Sequence, residues 1–71
     1  MKLKCPFCGN DCGWESRRKK YLEENSLRVT CKCRKSFTVM HIGQNVYVSY
    51  TDGERHQERI GTHAEAKGEL L

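Results

Sequence analysis

Apolar and polar side chains alternate with a period of two along several stretches of the chain, the pattern a half-buried strand imposes. Leu27-Arg28-Val29-Thr30 is a short strand of this kind. Ser36 to Ile42 is a second, with Phe37, Val39 and His41 on one face and Thr38, Met40 and Ile42 on the other. Val46 to Tyr50 is the clearest, with Val46, Val48 and Tyr50 sharing a face. Gly43-Gln44-Asn45 is the turn between the last two, and Glu23-Glu24-Asn25-Ser26 is a polar turn ahead of the first. Asp52-Gly53 is a strong hairpin signal, and Arg55 to Ile60 returns from it. A strict two-residue loop would pair Val46 with Arg59 and mix the faces. One extra residue, taken up by a bulge, pairs Val46 with Ile60 and leaves Tyr47, Ser49, Arg55, Gln57 and Arg59 on the opposite, polar face. Thr62-His63-Ala64-Glu65 is a capping box, which predicts a short helix from about His63 to Leu70, weakened by Gly68. Ala64, Leu70 and Leu71 are its candidates for docking on the sheet.

These elements define a small β-rich α+β domain: an antiparallel sheet of three to four strands and a short C-terminal helix. No repeat or low-complexity linker divides the 71 residues, so a single domain is expected over 1–71. Residues 1–35 form its basic front half, and 36–71 its hairpin and helix. A chain this short, with 37% hydrophobic and 31% charged residues, buries too little apolar surface to be comfortable without a staple.

Cysteine supplies one. Cys5-Pro6-Phe7-Cys8-Gly9 has the form of a zinc knuckle, with two thiolates turned to one centre and a glycine for the backbone angle of the turn. Cys31-Lys32-Cys33 can close a four-thiolate, tetrahedral zinc site with it, giving a zinc-ribbon-like, zinc-stabilised domain. Structural zinc contributes on the order of 10 kcal/mol to such modules. Cys12 is a fifth thiol and an alternative ligand, since C-x-C pairs fit one metal less readily than C-x2-C pairs. Phe37 is expected to pack on the metal site. The odd cysteine count argues against a disulfide framework.

Charge points to a partner. The formal net charge is +4, which four thiolates and one zinc would bring near +2. Residues 1–35 hold 10 Lys and Arg against 4 Asp and Glu, while 36–71 hold 3 against 5. A basic front half suits an anionic partner, nucleic acid first. Arg17-Arg18-Lys19-Lys20, between Trp14 and Tyr21, can engage phosphates while the aromatics stack on bases. The same run also fits a charged strand or loop whose Trp14 and Tyr21 belong to a small core. Met1-Lys2-Leu3-Lys4 runs into the knuckle without an apolar stretch, so no signal peptide is expected. No run approaches the ~18 apolar residues of a membrane span, and a cytoplasmic location without membrane contact is expected.

Residues 5–37 resemble the zinc-finger activators of phage late-gene transcription, the Ogr/Delta family. The likeness rests on Cys5-Pro6-Phe7-Cys8, a 22-residue spacer containing Ser16-Arg17-Arg18, then Cys31, and Phe37 following the last cysteine. That family closes its site with C-x4-C, whereas Cys31 and Cys33 here enclose one residue. The resemblance implies a DNA-binding regulator that contacts RNA polymerase. Residues 46–66 are more faintly similar to the arm-binding domains of tyrosine recombinases, which put a sheet face against DNA. On that analogy Tyr47, Ser49, Arg55, Gln57 and Arg59 would face DNA, with Tyr47, Arg55, Gln57 and Arg59 as the candidate nucleic-acid contacts.

Four cysteines would leave a zinc ion no open position, and His41, His56 and His63 are scattered without a carboxylate partner, so no enzyme is expected. The function expected is a zinc-dependent nucleic-acid-binding regulator, phage or bacterial, with DNA ahead of RNA as ligand. The alternative is a small zinc-containing protein-binding adaptor or inhibitor acting on a larger complex such as RNA polymerase or a nuclease.

Overall fold

A computed structural model of the chain describes residues 2–68. A helix, α1 (Trp14–Glu24), precedes four strands, β1 (Ser26–Thr30), β2 (Ser36–Ile42), β3 (Asn45–Asp52) and β4 (Glu54–Thr62), and a short helix, α2 (His63–Lys67), follows them. The strands form one antiparallel sheet in the order β1-β2-β3-β4, each neighbouring the next in sequence. Register keeps the apolar face whole. Leu27 lies opposite Val39 and Val29 opposite Phe37, and across the next pair Val39 meets Val48 and His41 meets Val46. Val29, Val39 and Val46 are fully buried.

The β3–β4 hairpin takes the one-residue-longer register expected of it. Tyr47 pairs with Arg59, Ser49 with Gln57 and Asp52 with Glu54, around Gly53 at φ 76°. The predicted Val46–Ile60 pair does not form. A bulge between Val46 and Tyr47 shifts the ladder, so that Val46 meets Gly61 and Ile60 is the inserted residue. Ile60 nonetheless packs against the core cluster, because the bulge turns the strand at that point.

Helix α1 departs from the strand-or-loop alternative for the basic run. Trp14 and Tyr21 stand seven residues apart, two helical turns, so both point into the core and both are buried. Arg, Lys, Leu and Glu between and beyond them favour helix. Gly13 and Asn25 bound it in left-handed conformations. The Asp11 carboxylate accepts from the Gly13 amide at 2.7 Å and fixes the turn into the helix. The Trp14 and Tyr21 rings meet edge to face at 5.2 Å. Tyr21 also ties the helices together, its hydroxyl lying 3.4 Å from His63 Nδ1 while the His41 and His63 rings stack at 4.4 Å.

The capping box of α2 forms as expected. The Glu65 amide donates to Thr62 Oγ1 at 3.2 Å, and the Thr62 amide donates to the Glu65 carboxylate at 3.3 Å. The helix ends at Lys67, short of Leu70, because Gly68 adopts φ 74° and caps it. Ala66 is the buried residue and Ala64 is exposed, a reversal of the expected docking face. Leu70 and Leu71 lie outside the described residues.

Leu3 is fully buried, and its carbonyl accepts from the Cys12 amide at 2.8 Å. Leu3→Ala is expected to cost about 2–5 kcal/mol in urea unfolding of the metal-loaded protein. Ile42→Ala, at a position 53% exposed, is expected to change stability by no more than about 0.5 kcal/mol.

Candidate functional site

Two loops distant in sequence form the cysteine cluster. In the first, the Cys5 amide donates to the Asn10 carbonyl and the Gly9 amide to the Cys5 carbonyl, each at 2.9 Å. The Phe7 amide points at Cys5 Sγ, 3.4 Å away. Gly9, just after the second cysteine, has φ 77° as the knuckle demands. The second loop joins β1 to β2 and repeats the device. The Arg34 amide donates to the Cys31 carbonyl at 2.9 Å, and Arg34, just after Cys33, sits at φ 69°. A Lys4–Asp11 bridge closes the base of the first loop.

The sulfurs of Cys5, Cys8, Cys31 and Cys33 all lie within 4.8 Å of one another. The closest approaches are 3.4 Å between Cys8 and Cys31 and 3.7 Å between Cys5 and Cys33. A divalent ion about 2.3 Å from each of four tetrahedral sulfurs would set them about 3.8 Å apart. The cluster is therefore of the size to hold a metal ion, and the single-residue Cys31–Cys33 spacing does not prevent it. Cys5 and Cys31 are buried, while Cys8 and Cys33 are exposed. Cys12 stays outside the group of four, its thiol directed at the Asn10 carbonyl 3.7 Å away.

The thiols share protons unevenly. The Cys33 amide, then the Cys8 thiol, bring Cys31 down to about 6. For Cys8 the Asn10 amide pulls downward, but Cys31, burial and the Cys5 and Cys33 thiols outweigh it and push Cys8 up to about 12. Crowded thiols cannot all ionise without a cation among them. Burial and then the Cys31 thiol raise Cys12 to about 11. Phe37 is buried in the hydrophobic core that also includes Cys5 and Cys31. Phe7 extends the packing outward, its ring meeting Tyr50 edge to face at 5.2 Å.

The candidate nucleic-acid residues separate into two groups on opposite sides of the sheet. Helix α1 packs on the core face, with Trp14 and Tyr21 inward. Arg17 donates through Nε to the Cys12 carbonyl at 2.8 Å, and Arg18 lies 3.5 Å from the Glu15 carboxylate. The Arg18 guanidinium also covers Gly68, where an added Cβ would strike it. Lys19 and Lys20 are exposed, but Glu23 and Glu24 stand one turn further along the same surface. The basic run is thus a mixed-charge helix face, with Arg17 hydrogen-bonded and Arg18 ion-paired within the protein.

Tyr47, Arg55, Gln57 and Arg59 do come together, on the face opposite α1 and α2. Row by row, that face presents Met40, Tyr47 and Arg59, then Arg28, Thr38, Ser49 and Gln57, then Thr30, Ser36, Thr51 and Arg55. Among the described residues it carries three arginines and no carboxylate. Glu58 points to the other face, where Tyr50 donates to it at 3.1 Å. Arg59 is held in place, donating through Nε to Asn45 Oδ1 at 2.9 Å. Arg28 was not singled out from the sequence. Its polar position in the β1 alternation was legible, but only the β1–β2 pairing aligns it with Ser49 and Gln57.

No protein-family model, curated protein or solved structure matches the chain.

Cys5→Ser is expected to abolish stoichiometric metal binding and the cooperative melt, whereas Cys12→Ser should retain one metal per chain by elemental analysis. Arg34→Gly should stabilise the loaded protein by about 0.5–1 kcal/mol in chemical denaturation, since relief of about 1–2 kcal/mol of left-handed strain outweighs the added chain entropy.

Proposed function

We propose that the chain is a zinc-stabilised nucleic-acid-binding regulator that meets its ligand through the open face of the sheet. The observation that carries this reading is the charge of that face: Arg28, Arg55 and Arg59 with hydroxyl and amide side chains between them, and no carboxylate among the described residues. Arginines so placed neutralise phosphates, and Thr38, Ser49 and Gln57 offer hydrogen bonds to sugars and base edges. Four thiolates around one centre favour zinc over harder ions, and a closed site of this kind holds the fold and performs no chemistry. The likeness of residues 5–37 to phage late-gene activators supports a regulatory role with DNA as ligand. The Arg17 to Lys20 run contributes long-range attraction and little direct contact, because its arginines are engaged within the protein. A protein-binding adaptor working through the free edge of β4 is the competing reading.

The test is fluorescence anisotropy with labelled oligonucleotides, single- and double-stranded, across a salt series. Binding should weaken steeply with salt, and combined Arg28→Ala, Arg55→Ala and Arg59→Ala should reduce affinity at least tenfold, as expected when three phosphate contacts are removed. Combined Lys19→Ala and Lys20→Ala should change it about twofold or less. Absence of binding to either form at moderate salt would refute the reading and favour the adaptor.

A further inference from the structure

The open face is more than a basic surface. Its middle is built from short side chains: Thr30 and Ser36, whose hydroxyls lie 3.2 Å apart, with Thr38, Ser49 and Thr51 beside them. Long side chains stand at the margins, Arg28 on β1 and Arg55, Gln57 and Arg59 on β4. Beside Arg28, over β2 and β3, lies a shallow depression of about 340 Å³ bordered by Arg28, Ser36, Thr38, Ser49 and Thr51. At one end the face turns apolar. Tyr47 and Met40 are cross-strand partners, both half-buried, and Ile42 on the next row is 53% exposed. Arg59 flanks this apolar end, fixed there by Asn45.

A duplex fits this surface poorly. Four strands at about 4.8 Å spacing set the outer pair about 14 Å apart. A major groove about 12 Å wide admits a two-stranded ribbon, and its floor presents polar base edges to the protein. The apolar end of this face would instead offer Tyr47, Met40 and Ile42 to that floor. A single strand exposes the flat apolar faces of its bases, which an aromatic ring among apolar neighbours can stack upon, while its phosphates lie against basic margins.

We propose that the ligand of the open face is single-stranded nucleic acid, crossing the sheet between Arg28 and the Arg55–Arg59 margin with one base stacked on Tyr47. This inference rests on the nucleic-acid-binding reading above. The shared chemistry, an unpaired base and its flanking phosphates, belongs to single-stranded DNA and RNA alike.

The experiment uses the full, metal-loaded chain and dye-labelled oligonucleotides of about 12 nucleotides. The arms are single-stranded DNA, single-stranded RNA of the same sequence, and the blunt DNA duplex. At least one single strand should bind tenfold or more tightly than the duplex. Log affinity against log salt should have a slope of about −2 for three neutralised phosphates, and Arg28→Ala should lessen it by about 0.7. Tyr47→Ala should weaken single-strand binding by about 5- to 150-fold, while Tyr47→Phe, which keeps the ring, should bind within about twofold of the parent. Thermal melts of both variants check that the sheet is intact. Equal or tighter duplex binding would overturn the single-strand assignment and leave the nucleic-acid reading standing. Binding of neither form would overturn both. Full single-strand affinity in a folded Tyr47→Ala protein would overturn the stacking contact.

Discussion

The structure depends on bringing Cys5 and Cys8 to Cys31 and Cys33. Without a metal, the first loop is held to the rest of the described residues by little more than burial of Leu3 and Cys5 and the Phe7–Tyr50 ring contact, while the Lys4–Asp11 bridge and the Cys12–Leu3 hydrogen bond close it on itself. Those contacts must offset the conformational entropy of the segment that precedes α1, at about 1–2 kcal/mol for each ordered residue. A metal held by four thiolates contributes far more than that handful of bonds. The cysteine cluster also sets the position of α1. Cys12 and Gly13 follow the first loop directly, and Arg17 reaches back to the Cys12 carbonyl, so the helix begins where the cluster puts it. Trp14 and Tyr21 then close over the sheet.

That closure makes the sheet one-sided. Both helices pack on the face of Val39, Val46 and Val48, and the Tyr21–His63–His41 contacts join them there. Among the described residues, nothing packs over the opposite face. The described carboxylates are distributed to match: Asp11 lies in the turn before α1, Glu15, Glu23 and Glu24 on α1, Asp52 and Glu54 at the hairpin tip, Glu58 toward Tyr50, and Glu65 in the cap of α2. Residues 36–71 carry more acid than base in sequence, yet the open face they largely build is basic. Half-chain charge therefore misjudges the surface. The pleat, which sends alternate side chains to opposite sides, decides which charges a ligand would meet.

The sequence by itself determined the strands, their alternating faces, the hairpin at Gly53, the capping box and the cysteine pairs, because each depends on neighbours within a few residues. It also carried most of the β3–β4 register, since only one pairing kept Val46 and Val48 on an unbroken apolar face. The α1 signal was there in Gly13, in the seven-residue spacing of Trp14 and Tyr21, and in Asn25, but a four-residue basic run invited a functional reading in place of a helical one. Tertiary structure alone decided the rest. Whether Cys12 or the Cys31–Cys33 pair completed the cluster turned on how the β1–β2 loop approached the first knuckle. The bulge that inserts Ile60, and the choice of Ala66 over Ala64, followed from where the sheet edge lay beneath α2. Arg28 joined Ser49 and Gln57 in one row, and Arg18 came to cover Gly68, through contacts between residues far apart in the chain. Local pattern specifies which way a side chain points along its own strand, but only the packed fold specifies what stands beside it.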